Sequence, residues 1–388
     1  MDLLFVELGF WACFAVVFYA FVGYPLLLFV SATVFSRPHR VEPVYTSISI
    51  VMAVHNEAVH LARRLDELVA LVAATGMPGE IIVVSDGSTD DSVDIARQFA
   101  DRGVRVIALE SNEGKAAALS RAFAEARYDI VVFADARQRW ADDALVRLLE
   151  NFVDPLVGAA SGDLVLESAP GVMAGVGLYW RYEKWLRRTE SRIRAQVGVT
   201  GAIAAARRAV LPPAIPAGTL LDDVYWPLCV AMRGYRVVHD ERARAFDRLP
   251  ERPRDEMNRK VRTLAGNYQL VGLLPKSLLP WCNPVWLPWV SHKLVRLAVP
   301  WCLIGMLSNS AGLFAEPFYA VLLMLQIAGY VVAGIGLIPP VGKRVRLLAA
   351  GGSFLVLNAA AWLAFWVWIS GQAGQSWRKV NYAEALDS

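Results

Sequence analysis

Asp86, Lys115, Asp135, Asp222, Asp223 and Arg262 carry side chains suited to holding a phosphorylated ligand and moving a proton. Asp86 ends an apolar run and is followed by Gly87 and Ser88. A carboxylate there can accept a hydrogen bond from a base N–H or a ribose hydroxyl, and glycine lets the backbone come close to a ligand. The same Asp-Gly-Ser-Thr-Asp string is also good turn and helix-cap chemistry, the plain structural alternative. Lys115 opens a predicted helix after Asn112-Glu113-Gly114, where free helix amides and an ammonium suit a diphosphate; the alternative is a solvated lysine. Asp222 and Asp223 begin an apolar helix predicted over 221–232. Neighbours on a helix point about 100° apart, so the two carboxylates cannot share one role. Two acids also favour a helix N-terminus for dipole reasons alone. Arg262 offers a guanidinium fork with phosphate-binding geometry.

These side chains need elements to bring them together. Residues 47–54 (SISIVMAV) are β-branched and apolar between polar flanks, and read as a buried strand. Helical spacing follows over 57–74, a strand over 80–84, and a helix running to Arg102 that Asp90 or Asp91 can cap. A strand over 104–109, a helix over 114–126 and a strand over 129–134 complete the run. Strict alternation predicts a mostly parallel sheet with helices on both faces. Ligands in such sheets bind beyond the carboxyl ends of the strands. His55-Asn56-Glu57, Asp86-Gly87 and Asp135 all fall there. No GxGxxG follows the first strand and no GxxxxGK[ST] occurs, which excludes a nicotinamide-type Rossmann domain and a P-loop.

The strings VMAVHNE (51–57), VVSDGSTDDS (83–92), NEGKAAAL (112–119), FADARQ (133–138), TGAIAAARR (200–208), LLDDVYWPL (220–228) and RKVRTLAGN (259–267) together resemble glycosyltransferase family 2. The likeness is to its membrane-integrated polysaccharide synthases, relatives of the cellulose, chitin and hyaluronan synthases. It implies an α/β GT-A fold, an inverting transfer from a nucleotide sugar, most readily a UDP-sugar, and Mg²⁺ or Mn²⁺. By resemblance Ala53, His55, Glu57 and Asp86 contact the nucleotide, Lys115 and Arg262 the diphosphate, and Asp135 the metal. Thr200, Gly201 and Ala202 match an acceptor segment. The second acid of the pair, Asp223, matches the general base, with Asp222 beside it. Two departures stand out. The usual Asp-x-Asp is Asp135-Ala136-Arg137, and the usual Gln-x-x-Arg-Trp is Arg259-Lys260-Val261-Arg262-Thr263. The lost tryptophan puts processive synthesis in doubt.

Hydrophobic residues make up 56% of the 388 and the mean hydropathy is +0.38, an excess concentrated at the two ends. Runs at 9–35, 294–314, 318–338 and 347–370 are long enough to cross a bilayer, which takes about 20 residues. The first reads as a retained anchor rather than a cleaved signal, since its leader has Asp2 and Glu7 but no basic residue. The domain reading is therefore an anchor over 1–40, a catalytic domain over 41–272, an interfacial amphipathic segment over 273–293 and membrane helices with a short tail over 294–388. Trp281, Trp286, Trp289, His292, Lys293 and Arg296 form the aromatic and basic belt expected of that interfacial segment. Arg37 and Arg40 put the central domain in the cytosol, as in a bacterial inner membrane. The basic loop Lys343-Arg344 and the tail residues Arg378 and Lys379 disagree about the tail, so its side stays open.

The net charge of +3 and the pattern of basic residues resemble no nucleic-acid groove. Cys13, Cys229, Cys282 and Cys302 lack CxxC spacing and read as small apolar side chains. The expected acceptor is a growing glycan. Four spans are few for a polymer channel, which brings in a lipid acceptor, a polyprenyl phosphate or a glycerolipid such as a diacylglycerol, or a homo-oligomer. A non-catalytic membrane scaffold of the same fold is the reading from another class; intact Asp86, Asp135, Asp223 and Arg262 argue against it.

Overall fold

A computed structural model describes residues 3–167, 174–248, 253–338 and 345–371. Its first element, α1 (Leu3–Phe35), is an apolar helix that passes through one π-turn at Tyr19–Gly23. The catalytic domain then alternates as the hydrophobic pattern requires. It runs β1 (Ile48–Val54), α2 (Ala58–Thr75), β2 (Gly79–Asp86), α3 (Ser92–Arg97), β3 (Val104–Leu109), α4 (Lys115–Ala124) and β4 (Ile130–Ala134). The short β5 (Arg139–Trp140), α5 (Ala144–Glu150), β6 (Val157–Glu167), α6 (Ala174–Ile193), β7 (Ile203–Arg207), α7 (Asp222–Met232), β8 (Arg236–Arg248) and α8 (Pro253–Leu273) follow.

The eight strands form one sheet in the order β3-β2-β1-β4-β7-β6-β8-β5. Strands β1 to β4 pair in parallel, and β7 runs antiparallel between β4 and β6. Strand β1 shows why the first half is parallel: six of its seven residues are buried, as a strand covered on both faces must be. Ile48, Ile50 and Met52 face Leu61, Leu65 and Leu68 of α2 and Leu148 of α5. Val51 belongs to the opposite core with Leu119 and Phe123 of α4 and Trp226 of α7. Helices on both faces leave only the strand ends open.

Three more helices are long and apolar enough to cross a membrane: α9 (Trp286–Gly312), α10 (Pro317–Ile335) and α11 (Arg346–Ile369). The belt expected over 273–293 is divided by the structure. Trp281 is 78% exposed, whereas Trp286 begins α9 and Trp289 and His292 are fully buried. Trp289 belongs to the second core beside Val285 and Leu270, so the foot of a membrane helix is part of the catalytic domain's interior. Lys343 and Arg344 and the tail beyond 371 lie outside the described residues.

Candidate active site

Two aromatic rings set the distance between the acidic positions. Phe133 of β4 stacks on Trp226 of α7 with centroids 4.6 Å apart, worth about 0.5–1.5 kcal/mol beyond area burial. That contact holds the head of α7, with Asp222 and Asp223, against the end of β4, where Asp135 follows. Pro227 sits inside α7 and has no N–H to offer the Asp223 carbonyl one turn back. The Val199 N–H takes its place at 2.8 Å, tying the 199–201 loop to the backbone of Asp223. Helix α8 docks on the same point. Gly266 lies so close to Leu221 that an added Cβ would stand 2.5 Å from Leu221 Cγ, and the Leu220 N–H donates to Gln269 Oε1 at 2.9 Å. Arg262, one turn earlier on α8, then acts electrostatically on both Asp222 and Asp223.

One cleft is therefore lined by Lys115, Asp135, Val199, Gly201, Asp222 and Asp223. Lys115 Nζ donates to Asp135 Oδ1 at 2.7 Å, and both side chains remain 29% exposed. Burial works against the Lys115 ammonium, but Asp135, Asp222 and Asp223 outweigh it and raise its pKa above the usual lysine value. Burial also raises Asp222, with Asp135 adding to it and Lys115 and Arg262 opposing. Asp223 is pushed up to about 6, first by burial and then by the Asp222 carboxylate, against the pull of Lys115, Arg187 and Arg262. A carboxylate near 6 ionises at neutral pH and still has appreciable basicity.

The second cluster lies at the ends of β1 and β2. Gly87 is left-handed at φ +61°, and a Cβ there would meet the Asn112 nitrogen at 2.5 Å, so only glycine lets the 111–114 loop approach. Asp86 turns inward, 1% exposed: Oδ1 accepts the Glu113 N–H at 2.7 Å and Oδ2 the Gly114 N–H at 2.9 Å. The contacts it makes are those of the turn alternative, and they deliver Lys115 to the cleft. His55 Nδ1–H donates to the Asp86 carbonyl at 2.6 Å. Asn56 Oδ1 accepts the Thr89 N–H at 2.8 Å, and the Glu57 N–H donates to Ser92 Oγ at 2.9 Å. Ala53, His55 and Glu57 keep partial exposure at this edge. Asn56, itself at φ +54°, organises this edge, a role that its place in the His55-Asn56-Glu57 cluster did not disclose.

The remaining expected residues divide. Gly201 covers the Lys115–Asp135 pair, its nearest approach being 3.6 Å to Lys115 Nζ from an added Cβ. Thr200 lines a neighbouring cleft instead. Ala202 is buried in the first core, and its carbonyl accepts Trp140 Nε1–H at 2.8 Å. Arg137 points away from the cleft into a two-bond contact with Asp247 at 3.2 and 2.9 Å. It therefore does not take the place of the missing second acid. Among the described residues no group of three or more His, Cys, Asp or Glu is placed to hold a metal ion. A hard divalent ion wants about six oxygens. The single carboxylate of Asp135, with one oxygen on Lys115, fits an ion completed by a ligand's own oxygens, not one held by the protein alone.

The sequence model described as glycosyl transferase family 2 matches residues 49–210, from β1 through the 199–201 loop and β7. The matched segment, less than half of the chain, is similar to glycosyltransferase family 2. The domain has the GT-A fold, and the chain around it holds the four candidate spans. A poly-beta-1,6-N-acetyl-D-glucosamine synthase of Staphylococcus aureus is 23% identical over 230 residues, 58% of this chain and 55% of that protein. The same enzyme from Staphylococcus epidermidis is 23% identical over 262 residues, 65% and 63% of the two chains. The chain thus matches little more than half the length of these relatives. Among solved structures, mannosyltransferase PcManGT from Pyrobaculum calidifontis, in complex with GDP-Man and Mn²⁺, superposes with a TM-score of 0.69 at 22% identity. That likeness covers 94% of this chain and 99% of the other, so the fold shared includes the terminal helices.

Proposed function

We propose that the chain is an inverting glycosyltransferase that takes a sugar from a nucleotide-diphosphate donor and passes it to an acceptor hydroxyl at the cytosolic face of a bacterial inner membrane. The observation that carries this reading is the cleft in which the Lys115 ammonium shares one space with Asp223, a carboxylate raised to about 6, while Arg262 acts on both acids from α8. The cations suit the donor's diphosphate, and the raised carboxylate suits the proton of an attacking hydroxyl.

The acceptor oxygen attacks the anomeric carbon from the side opposite the diphosphate. The new C–O bond forms as the bond to the phosphate oxygen breaks, and the nucleoside diphosphate leaves with the electron pair. Asp223 receives the hydroxyl proton, and one displacement inverts the carbon. Lys115 and Arg262 hold the charge that grows on the leaving group. Asp222 faces Lys115 and keeps the site's charge in balance. Mg²⁺ or Mn²⁺ arriving with the donor would be held by Asp135, and its chemistry is neutralisation of the same leaving charge. His55, Asn56 and Glu57 at the neighbouring strand ends form the edge offered to the nucleoside.

The activity named for the Staphylococcus relatives supports a glycan, free or lipid-linked, as the acceptor, and the resemblance favours UDP over GDP. Incubating purified full-length protein with a panel of labelled UDP- and GDP-sugars tests both. Turnover of one donor with inverted anomeric configuration is the expected result. No turnover of any donor, with or without Mn²⁺, overturns the reading.

A further inference from the structure

Beside the donor cleft, on the other side of the 199–201 loop, lies a second cleft that no comparison assigns. Its walls are Asp163 of β6, His239 of β8, Thr200, and Trp180, Lys184 and Arg187 of α6. Positions 180, 184 and 187 share one helix face by their spacing. The opposite face of α6 packs through Leu186, Tyr182 and Trp185 on Tyr24 and Leu28 of the membrane helix α1. The cleft thus lies one helix thickness from the first span.

Its acidic groups are already engaged. Asp163 accepts from Lys184 Nζ at 2.8 Å, and Glu183, which also lines the cleft, is shared by His292, Lys293 and Arg296. What remains uncommitted is rich in donors. Among the described residues, Trp180 Nε1, Arg187 Nε and both ring nitrogens of His239 are buried without a hydrogen-bond partner. The ion pair that Arg187 makes among them is a 3.6 Å charge contact to Glu183. The His239 side chain is 5% exposed, and burial, with Arg187 and Lys184 adding to it, pushes its pKa down to about 4. It is therefore neutral at pH 7, with one N–H to give. Leaving buried donors unmet is costly, so this lining calls for an acceptor-rich group.

The geometry points to this cleft as the seat of a phosphate group carried by the acceptor, supplied by a membrane lipid, with Trp180, Arg187 and His239 as its donors. This rests on the proposed transferase reading and adds the acceptor's chemistry to it. The phosphate is a handle here, not the nucleophile. Arg187 faces the phosphate and also acts electrostatically on Asp223, so a hydroxyl on the same acceptor lies on the side of the base. A lipid source follows from α6, which presents the cleft on one face and the membrane helix on the other.

Full-length protein in nanodiscs, loaded with a nonhydrolysable nucleotide-sugar analogue, would be titrated with dihexanoyl phosphatidate, dihexanoyl phosphatidylcholine and inorganic phosphate. Arg187→Gln and Trp180→Phe would be run alongside the native chain. Phosphatidate should bind at least ~10-fold tighter than phosphatidylcholine. Arg187→Gln should weaken it ~10-fold or more, as for one lost charge-assisted contact, and Trp180→Phe several-fold at about the level of one neutral hydrogen bond. Inorganic phosphate binding as tightly as phosphatidate, with the same loss in Arg187→Gln, would keep the phosphate seat and overturn the lipid source. Equal binding to all three proteins would overturn the site. The analogue's own affinity reports folding and the donor reading separately, so a failure of the proposed function is distinguishable from a failure of this seat.

Discussion

Two clusters of charge lie in this molecule a helix apart, and they are built to opposite rules. Around the candidate cleft, Lys115 and Asp135 stay partly exposed, Arg262 makes no close ion pair among the described residues, and Asp222 and Asp223 crowd two carboxylates together. Between α6 and α9 opposite charges are paired. His292 bonds Glu190 Oε1 through Nδ1 at 2.7 Å and Glu183 Oε1 through Nε2 at 2.8 Å, Arg296 bonds Glu183 Oε2 at 3.0 Å, and the Tyr24 hydroxyl donates to Glu190 at 2.7 Å. The first cluster holds like charges together and stays open to the cleft. The second is paired, and it fastens the central domain to two candidate spans.

Breaking each cluster should therefore give different kinds of loss. The largest effect on stability is expected from His292→Ala, which leaves two buried carboxylates facing each other. The expected cost is about 3–5 kcal/mol, read as loss of folded protein after extraction and a lower Tm. A neutral outcome would mean the clamp holds nothing. Lys115→Ala should instead weaken nucleotide-sugar binding by ~10–100-fold, as for a lost charge-assisted contact, measured by calorimetry. Its Tm should move little, because the Asp135 partner is partly exposed.

Acidity sharpens the contrast. In the donor cleft, Asp223 must be ionised to accept a proton, so turnover should climb about tenfold per unit below pH 6 and level off above it. In the clamp, burial works against Glu183 and Glu190, but His292, with Lys293 and its neighbours, outweighs it and holds both below the usual glutamate value. Depressed carboxylates contribute stability that is present above the unfolded value near ~4.3 and lost as pH falls through the folded one. Activity should thus fade between pH 7 and 5 while the fold stays intact, and the clamp should release only at lower pH. Coincident loss of activity and of folded signal would remove the distinction. The smallest effect belongs to Gly201→Ala. Its new methyl would stand 3.6 Å from Lys115 Nζ and 3.7 Å from Asp135 Oδ2, ordinary contacts that leave the fold alone. Donor affinity should drop several-fold through partial cover of the ion pair, with no change in Tm.

The same division explains what the sequence disclosed. The parallel strands were legible because runs such as SISIVMAV are buried on both faces, and the chemistry at their ends followed from that. Lys115, Asp135, Asp222 and Asp223 were legible as positions because each begins or follows an element that the pattern marks; Gly201 came from the resemblance alone. Asp86 was legible as a position but not as an inward-turned carboxylate, since its partners are amides of a loop 27 residues away. The clamp was not legible. Its members come from α1, α6 and α9, with bonds that join residues up to 166 positions apart, and His292 and Lys293 beside tryptophans look the same whether they face lipid or a buried glutamate. The α6 stripe of Trp180, Glu183, Lys184 and Arg187 likewise resembles any solvated helix face until its neighbours are known.

The most direct test of the central claim is Asp223→Asn, assayed at once for donor binding, turnover and Tm. Nucleotide-sugar affinity within about threefold of native, an unchanged or higher Tm, and turnover reduced by ~10²–10⁴-fold are the predicted results, as for loss of a general base. Turnover at a rate comparable to the native chain would contradict the account.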